Sequence, residues 1–514
     1  MTLTCYNKKK KEDISKIHRK SGILMPMFSL PSPFGIGDMG SQAYSFCDFL
    51  ASSGQSVWQI LPLTITDRSK GNSPYSSISA FAGDPLYISP EILFREGLIQ
   101  RNSIEGAPSF SRVRVDYEQA RTFRKRILRE AFTMERQKGH SDLFYTFCHE
   151  NKSWLDDLAL FLVLKEHFDG EPWYKWPKGF RERDSEVLQT ARDQFSEEID
   201  FIEFLQYHFH KQWDSLHSYC REKGIQILGD IPIYVDHDSC DVWSNRNIFQ
   251  LDESGRPTSV SGVPPDYFSS TGQRWGNPLF NWNKLEKNGF SWWLKRIGHA
   301  AGIFDLVRID HFRGFVAYWS IPSEEETAVK GHWEQGPSDL FLSTLREQFP
   351  HLSVVAENLG IITPDVDEAM KRFDLPGMLV LQFAFDGDMN TNPYLPHNHT
   401  SANVVYTGTH DNNTTKGWFK EEITEAQKKI LDSYTGQKCD PENISWQLIR
   451  MAMSSVSWIS IIPMQDILGL DSDARTNTPS TKTGNWEWRV SGNYIEGPLS
   501  RDLYDMTRLF GRTS

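Results

Sequence analysis

Short β-rich apolar runs alternate with segments of helical periodicity along almost the whole chain, and this alternation restricts the fold more than any other feature. About eight such runs are present, at 23–27, 57–63, 225–235, 304–309, 353–357, 378–383, 404–406 and 458–463. A strand that reads as a continuous apolar run is covered on both faces, and parallel strands joined by helices are covered that way. Eight βα units predict a closed (β/α)8 TIM barrel of the α/β class.

Two stretches break the rhythm. Residues 91–223 are helical and charged, with an apolar stripe over 154–168, and predict a helical insertion between strands two and three. Residues 236–289 are rich in Gly, Pro, Asn and Asp, as in Val263-Pro264-Pro265-Asp266 and Gly276-Asn277-Pro278, and predict a long loop insertion after strand three. Long ordered loops in a compact enzyme are usually lids or binding loops, which places this one over the cleft. The helical pattern at 499–510 follows the eighth strand and leaves no room for a separate C-terminal β domain. The expectation is one catalytic barrel spanning 1–514, a length that decorated barrels reach.

Charge and cysteine usage narrow the partners. With 55 basic and 67 acidic residues the net charge is -12, which disfavours nucleic acid and anionic membrane and leaves a neutral ligand as the better fit. The six cysteines are scattered without C-x-x-C spacing, as expected of reduced thiols in a cytoplasmic protein. Lysines 8–11 are followed by no apolar h-region and read as a solvated start, and no run approaches the ~18 apolar residues of a membrane span. His208-Phe209-His210 and His397-Asn398-His399 lack the spacing of a metal helix motif, and no phosphate-binding glycine loop is present, so neither metal nor cofactor is expected.

In barrels of this kind the reacting groups sit where strands end at the C-terminal face. Four strand ends carry acids there: Asp230, Asp310, Glu357 and, just after strand seven, Asp411. One acid at a strand end is ordinary turn chemistry. Four aimed at one face point to a site. Arg308 and Asp310 are two apart on a strand and share a face, so a guanidinium sits beside the carboxylate and keeps it ionised. An ionised, oriented carboxylate suits nucleophilic attack at an anomeric carbon. Glu357 is then the acid/base, its pKa raised by the charges of Asp310 and Asp411. Asp411 suits gripping hydroxyls and stabilising positive charge, while His410 is open to either a catalytic contact or a structural hydrogen bond.

Arg308-Ile309-Asp310-His311-Phe312-Arg313-Gly314, Ala356-Glu357-Asn358-Leu359-Gly360 and Gly408-Thr409-His410-Asp411-Asn412 closely resemble the nucleophile, acid/base and third-carboxylate motifs of the amylomaltases, glycoside hydrolase family 77. Further matches fall in family order along the chain: Asn72-Ser73-Pro74-Tyr75, Gly229-Asp230-Ile231-Pro232-Ile233, Gly272-Gln273-Arg274-Trp275-Gly276-Asn277-Pro278 and Gly484-Asn485-Trp486-Glu487-Trp488-Arg489. The resemblance implies a retaining double displacement on an α-1,4-glucan donor, with glucose or a maltooligosaccharide as acceptor and no cofactor. It also implies that 263–275 overhangs the cleft and that Tyr75 lies in a glucan-binding segment. Trp275 is open to stacking on a sugar ring or to anchoring its loop, and Tyr75 likewise to substrate contact or packing.

Three positions depart from the family pattern. Asn358 and Asn413 stand where the family commonly has an acid, and Ser480 replaces a frequent glycine. Each Asn keeps the shape of Asp and drops its charge, which predicts a modest shift in pH profile or acceptor preference. Two other readings remain: an α-amylase-like retaining hydrolase, which shares the same first step, and a non-catalytic glucan-binding protein, against which the three intact carboxylates speak.

Overall fold

Because βα units leave each strand covered on both sides, the apolar runs become the staves of a barrel. The computed structural model describes residues 18–265, 269–491, 494 and 497–513. Lysines 8–11, Cys5 and Asp266-Tyr267-Phe268 lie outside the described residues. The strands are β1 (Lys20–Leu24), β2 (Val57–Gln59), β3 (Gln226–Pro232), β4 (Ser259–Val263), β5 (Gln273–Pro278), β6 (Leu306–Asp310), β7 (Ala317–Pro322), β8 (His332–Gln335), β9 (Ser353–Ala356), β10 (Gly377–Val380), β11 (Asn403–Tyr406) and β12 (Ile459–Pro463).

Eight of these form one sheet in the order β10-β11-β12-β1-β2-β3-β6-β9, parallel at each ladder. The ends of that order meet: Ala356 N donates to Pro376 O at 2.8 Å, and Met378 N donates to Asn358 Oδ1 at 2.7 Å. The sheet is therefore a (β/α)8 barrel, with one strand in each of the eight apolar runs. Asn358 closes it with a side chain, since β9 ends two residues earlier and its backbone turns away into the loop. Some runs outlast their strands: that at 378–383 passes into a 3-10 turn at Leu381–Phe383, that at 23–27 leaves β1 at Leu24 and enters a 3-10 turn at Met27, and that at 57–63 is strand only to Gln59.

Between β2 and β3 the chain forms long helices, among them Tyr117–Lys138, Asp142–His167 and Ser196–Glu222. The first two are capped locally: the Asp116 side chain accepts from Gln119 N, and that of Ser141 accepts from Phe144 N. Ser196–Glu222 buries Phe201, Phe204, Leu205, Trp213 and Leu216 on one stripe, which is what fixes it against its neighbours.

The stretch 236–289 is more ordered than its composition suggests. It contains the helices Cys240–Ser244 and Trp282–Lys287, and also β4 and β5, which join β7 and β8 in an antiparallel sheet of order β5-β4-β7-β8. Gly262, Gly276 and Pro278 lie inside these strands, so no alternation marks them, and the pairing of β4 with β7 joins segments on either side of β6. The described cysteines are free, and no helix among the described residues is long and apolar enough to cross a membrane.

Candidate active site

β3, β6 and β9 are adjacent staves, so their C-terminal ends bring three acidic residues together without any long side chain having to reach. The register sets Asp230 opposite Arg308, Pro232 opposite Asp310 and Ile309 opposite Ala356. Arg308 is 3% exposed and fills the top of the barrel. Its Nη1 donates to both oxygens of Asp230, at 2.7 and 2.6 Å, and its Nη2 donates to Asp310 Oδ1 at 2.7 Å. Burial alone would lower the guanidinium pKa, but the two carboxylates flanking it hold the proton firmly. One planar cation thus orients two acids, and Asp310 Oδ2 is left without an Arg308 contact.

Glu357 follows β9 directly. Its Oε2 accepts from His311 N at 2.8 Å and its Oε1 from Leu359 N at 2.6 Å. His311 stands in the left-handed region, φ 50°, a conformation uncommon for a side chain this large, and it is this turn after Asp310 that aims the N–H at Glu357. Burial pushes the Glu357 carboxyl up and the Asp310 charge adds to it, while Arg308 and the two N–H groups oppose them, leaving it at about 7. The rise was expected from neighbouring charge; burial is the larger cause.

Asp411 lies in the turn after β11. Its Oδ1 accepts from Asn477 Nδ2 at 2.6 Å, and His410 Nε2 lies 3.4 Å from its Oδ2. Unlike Asp230, whose side chain is fully enclosed, that of Asp411 is 48% exposed and open to a ligand. His410 stacks on Tyr75 with ring centroids 5.1 Å apart, and Tyr75 OH donates to Asp230 Oδ2 at 2.7 Å. Trp275, on β5, is among the exposed aromatics and meets the His311 ring edge-on at 4.7 Å. Six of the eight residues singled out from sequence, Asp411, His410, Tyr75, Asp230, Arg308 and Asp310, therefore form one chain of contacts, and Glu357 and Trp275 join it through His311.

His311, Arg475 and Asn477 belong to the same cluster and were not singled out. His311 follows Asp310 directly, yet nothing in a strand pattern announces its backbone angle. Asn477 and Arg475 reach Asp411 from more than sixty residues away, beyond any local spacing. The two His-x-His pairs have other partners: His208 Nε2 lies 2.7 Å from Glu135 Oε2, burial pulls His210 down to about 3, and His399 Nδ1 lies 2.7 Å from Ser455 Oγ. Among the described residues no group of three or more His, Cys, Asp or Glu is placed to hold a metal ion.

Comparison with known proteins agrees along nearly the full length. The family described as 4-alpha-glucanotransferase, glycoside hydrolase family 77, matches residues 25–495. A 4-alpha-glucanotransferase of Synechocystis sp. is 46% identical over 500 residues, covering 96% of this chain and 98% of that protein. One from Thermus thermophilus is 44% identical over 494 residues, covering 94% and 96%. Among solved structures, an amylomaltase from Streptococcus agalactiae in complex with acarbose superposes with a TM-score of 0.92 at 37% identity, covering 96% of this chain and 100% of that one.

Proposed function

Since the chain belongs to the 4-alpha-glucanotransferases of glycoside hydrolase family 77, we propose that it moves a segment of an α-1,4-glucan to the 4-hydroxyl of glucose or a maltooligosaccharide, using Asp310 and Glu357 in a retaining double displacement. Asp310 Oδ2 attacks the anomeric carbon as Glu357 gives its proton to the departing glycosidic oxygen. A covalent glycosyl-enzyme results. The acceptor hydroxyl then loses its proton to Glu357 and attacks the same carbon, releasing Asp310, so that two inversions give net retention. A carboxyl with a pKa of about 7 suits both halves, because it is readily protonated for the first and readily ionised for the second.

The observation that carries this reading is the Arg308 guanidinium, which orients Asp310 from inside the barrel while Glu357 is held beside it by the N–H of the next residue. Asp411, half exposed at the rim, grips sugar hydroxyls and stabilises positive charge at the anomeric carbon. Tyr75 and His410 form a wall fixed through Asp230, and Trp275 offers an open ring face to a glucose unit. Incubation with maltotriose separates transfer from hydrolysis: transfer gives glucose plus a ladder of longer chains, whereas only shorter products with rising reducing ends would reject it. Asp310→Asn is expected to abolish both.

Residues 1–514 are taken as one catalytic unit, with 91–223 as a helical insertion and 236–289 as the segment bordering the cleft. The support is the contact of Trp275 with His311. A cytoplasmic location fits the free thiols.

A further inference from the structure

We propose that Arg475 is a positioning residue for the third carboxylate, fixing Asp411 through the main chain rather than by touching its carboxyl. The proposal rests on the role given to Asp411 above. Asp411 sits in an exposed turn, and its side chain takes a single short hydrogen bond, from Asn477 Nδ2 at 2.6 Å. Arg475 secures both ends of that bond. Its Nη2 donates to the Asp411 carbonyl at 2.7 Å, and its Nε donates to the Asn477 carbonyl at 2.8 Å. Asn477 N in turn donates to the His410 carbonyl at 3.1 Å. A rigid fork is what can hold two carbonyls at a fixed separation, and a lysine ammonium on a flexible stem is not.

The remaining arm of the guanidinium explains one departure from the family pattern. Arg475 Nη1 lies 3.3 Å from Glu422 Oε1, and the same oxygen accepts from Asn413 Nδ2 at 2.9 Å. Asn413 also reaches Ser472 Oγ at 3.2 Å, and its Oδ1 accepts from Thr414 N at 2.9 Å. The contacts close a ring from Asp411 through Arg475 and Glu422 back to Asn413, two residues further along the chain. An aspartate at 413 would face the Glu422 carboxylate and break the ring by repulsion, whereas the amide donates into it. Asn413 and Glu422 are matched, and what they jointly hold is the arginine that fixes Asp411.

The test compares Arg475→Ala, Arg475→Lys, Asp411→Asn and the Arg475→Ala/Asp411→Asn pair by steady-state kinetics on maltotriose. Misplacing a reacting group by about an ångström costs on the order of 100-fold, so Arg475→Ala is expected to lower kcat by about 10- to 100-fold with KM nearly unchanged, and Arg475→Lys to do almost the same. Millimolar guanidinium, but not sodium at equal ionic strength, should restore part of the Arg475→Ala loss. The double variant should be no slower than Asp411→Asn alone, because Arg475 acts only through Asp411. Asn413→Asp should lose kcat, and adding Glu422→Gln should recover it, which tests the ring even if Arg475→Ala folds poorly. An Asp411→Asn enzyme of wild-type rate would remove the Asp411 role itself. If Asp411→Asn is impaired but the Arg475→Ala and Asp411→Asn losses multiply, or Arg475→Lys is fully active, the positioning role is wrong.

Discussion

Replacing Arg308 with methionine keeps much of the buried stem and deletes the charge, and the structure says what remains. Asp230 loses both Arg308 hydrogen bonds and retains the Tyr75 hydroxyl, with its side chain fully enclosed. Breaking a buried pair by removing one partner costs about 3–5 kcal/mol. Burial already pushes the Asp230 carboxyl up against the opposing guanidinium, so in the variant Asp230 escapes part of the cost by taking a proton. The sign follows. A folded carboxyl that holds its proton more tightly than the unfolded chain destabilises only where the unfolded one has ionised. Because Asp230 is already raised in the intact protein, the deficit relative to wild type opens as pH passes that folded value and grows by about 1.4 kcal/mol per pH unit until the variant's higher folded pKa is reached. Urea unfolding at pH 5 and pH 7.5, followed by tryptophan fluorescence, should show Arg308→Met losing more at the higher pH, by up to ~3 kcal/mol over that interval. Adding Asp230→Asn should return most of that difference. A loss below ~1 kcal/mol at pH 7.5, or one that is flat with pH and unrelieved by Asp230→Asn, would refute the buried-pair account.

Because donor cleavage needs Glu357 protonated, kcat/KM on maltotriose should decline above about pH 7, approaching tenfold per unit; activity that stays level to pH 9 contradicts the assigned acid. Asn358→Asp preserves the acceptor for Met378 N but adds a charge next to Glu357, so this basic limb should move to higher pH, and an identical profile would show the amide to be electrostatically neutral in effect. In the helical segment before β3, burial pushes the Glu135 carboxyl up, but hydrogen bonds from His208 and His140 hold it below its usual range. Its contribution to stability is present above the ordinary carboxylate pKa and lost as pH falls through the lowered folded value. Glu135→Gln should accordingly lower Tm at pH 7 by a few degrees, with the gap closing in acid; an equal gap at every pH measured by differential scanning fluorimetry would exclude this charge effect.

Much of the barrel and its chemistry was legible in the chain because it is encoded locally. A strand covered on both faces must be apolar throughout, so each stave could be found as a run, and the residue at its end is an acid or it is not. Arg308 and Asp310 share a face because strand geometry repeats every two residues, which needs no knowledge of the fold. The antiparallel sheet was not legible: β4, β5, β7 and β8 are short, all but β8 carry a glycine or a proline, and β4 pairs with β7 across β6.

What tertiary structure alone decided is which distant groups meet. Arg308 reaches Asp230 from 78 residues away and Asn477 reaches Asp411 from 66, contacts set by barrel closure and loop return rather than by spacing. Burial around Glu357 belongs to the same class, since it depends on what the rest of the chain places over it. Sequence periodicity states which way a side chain points from its own backbone. Only the closed barrel states what it then faces, and it is the facing group and the excluded water that set a charge's energy.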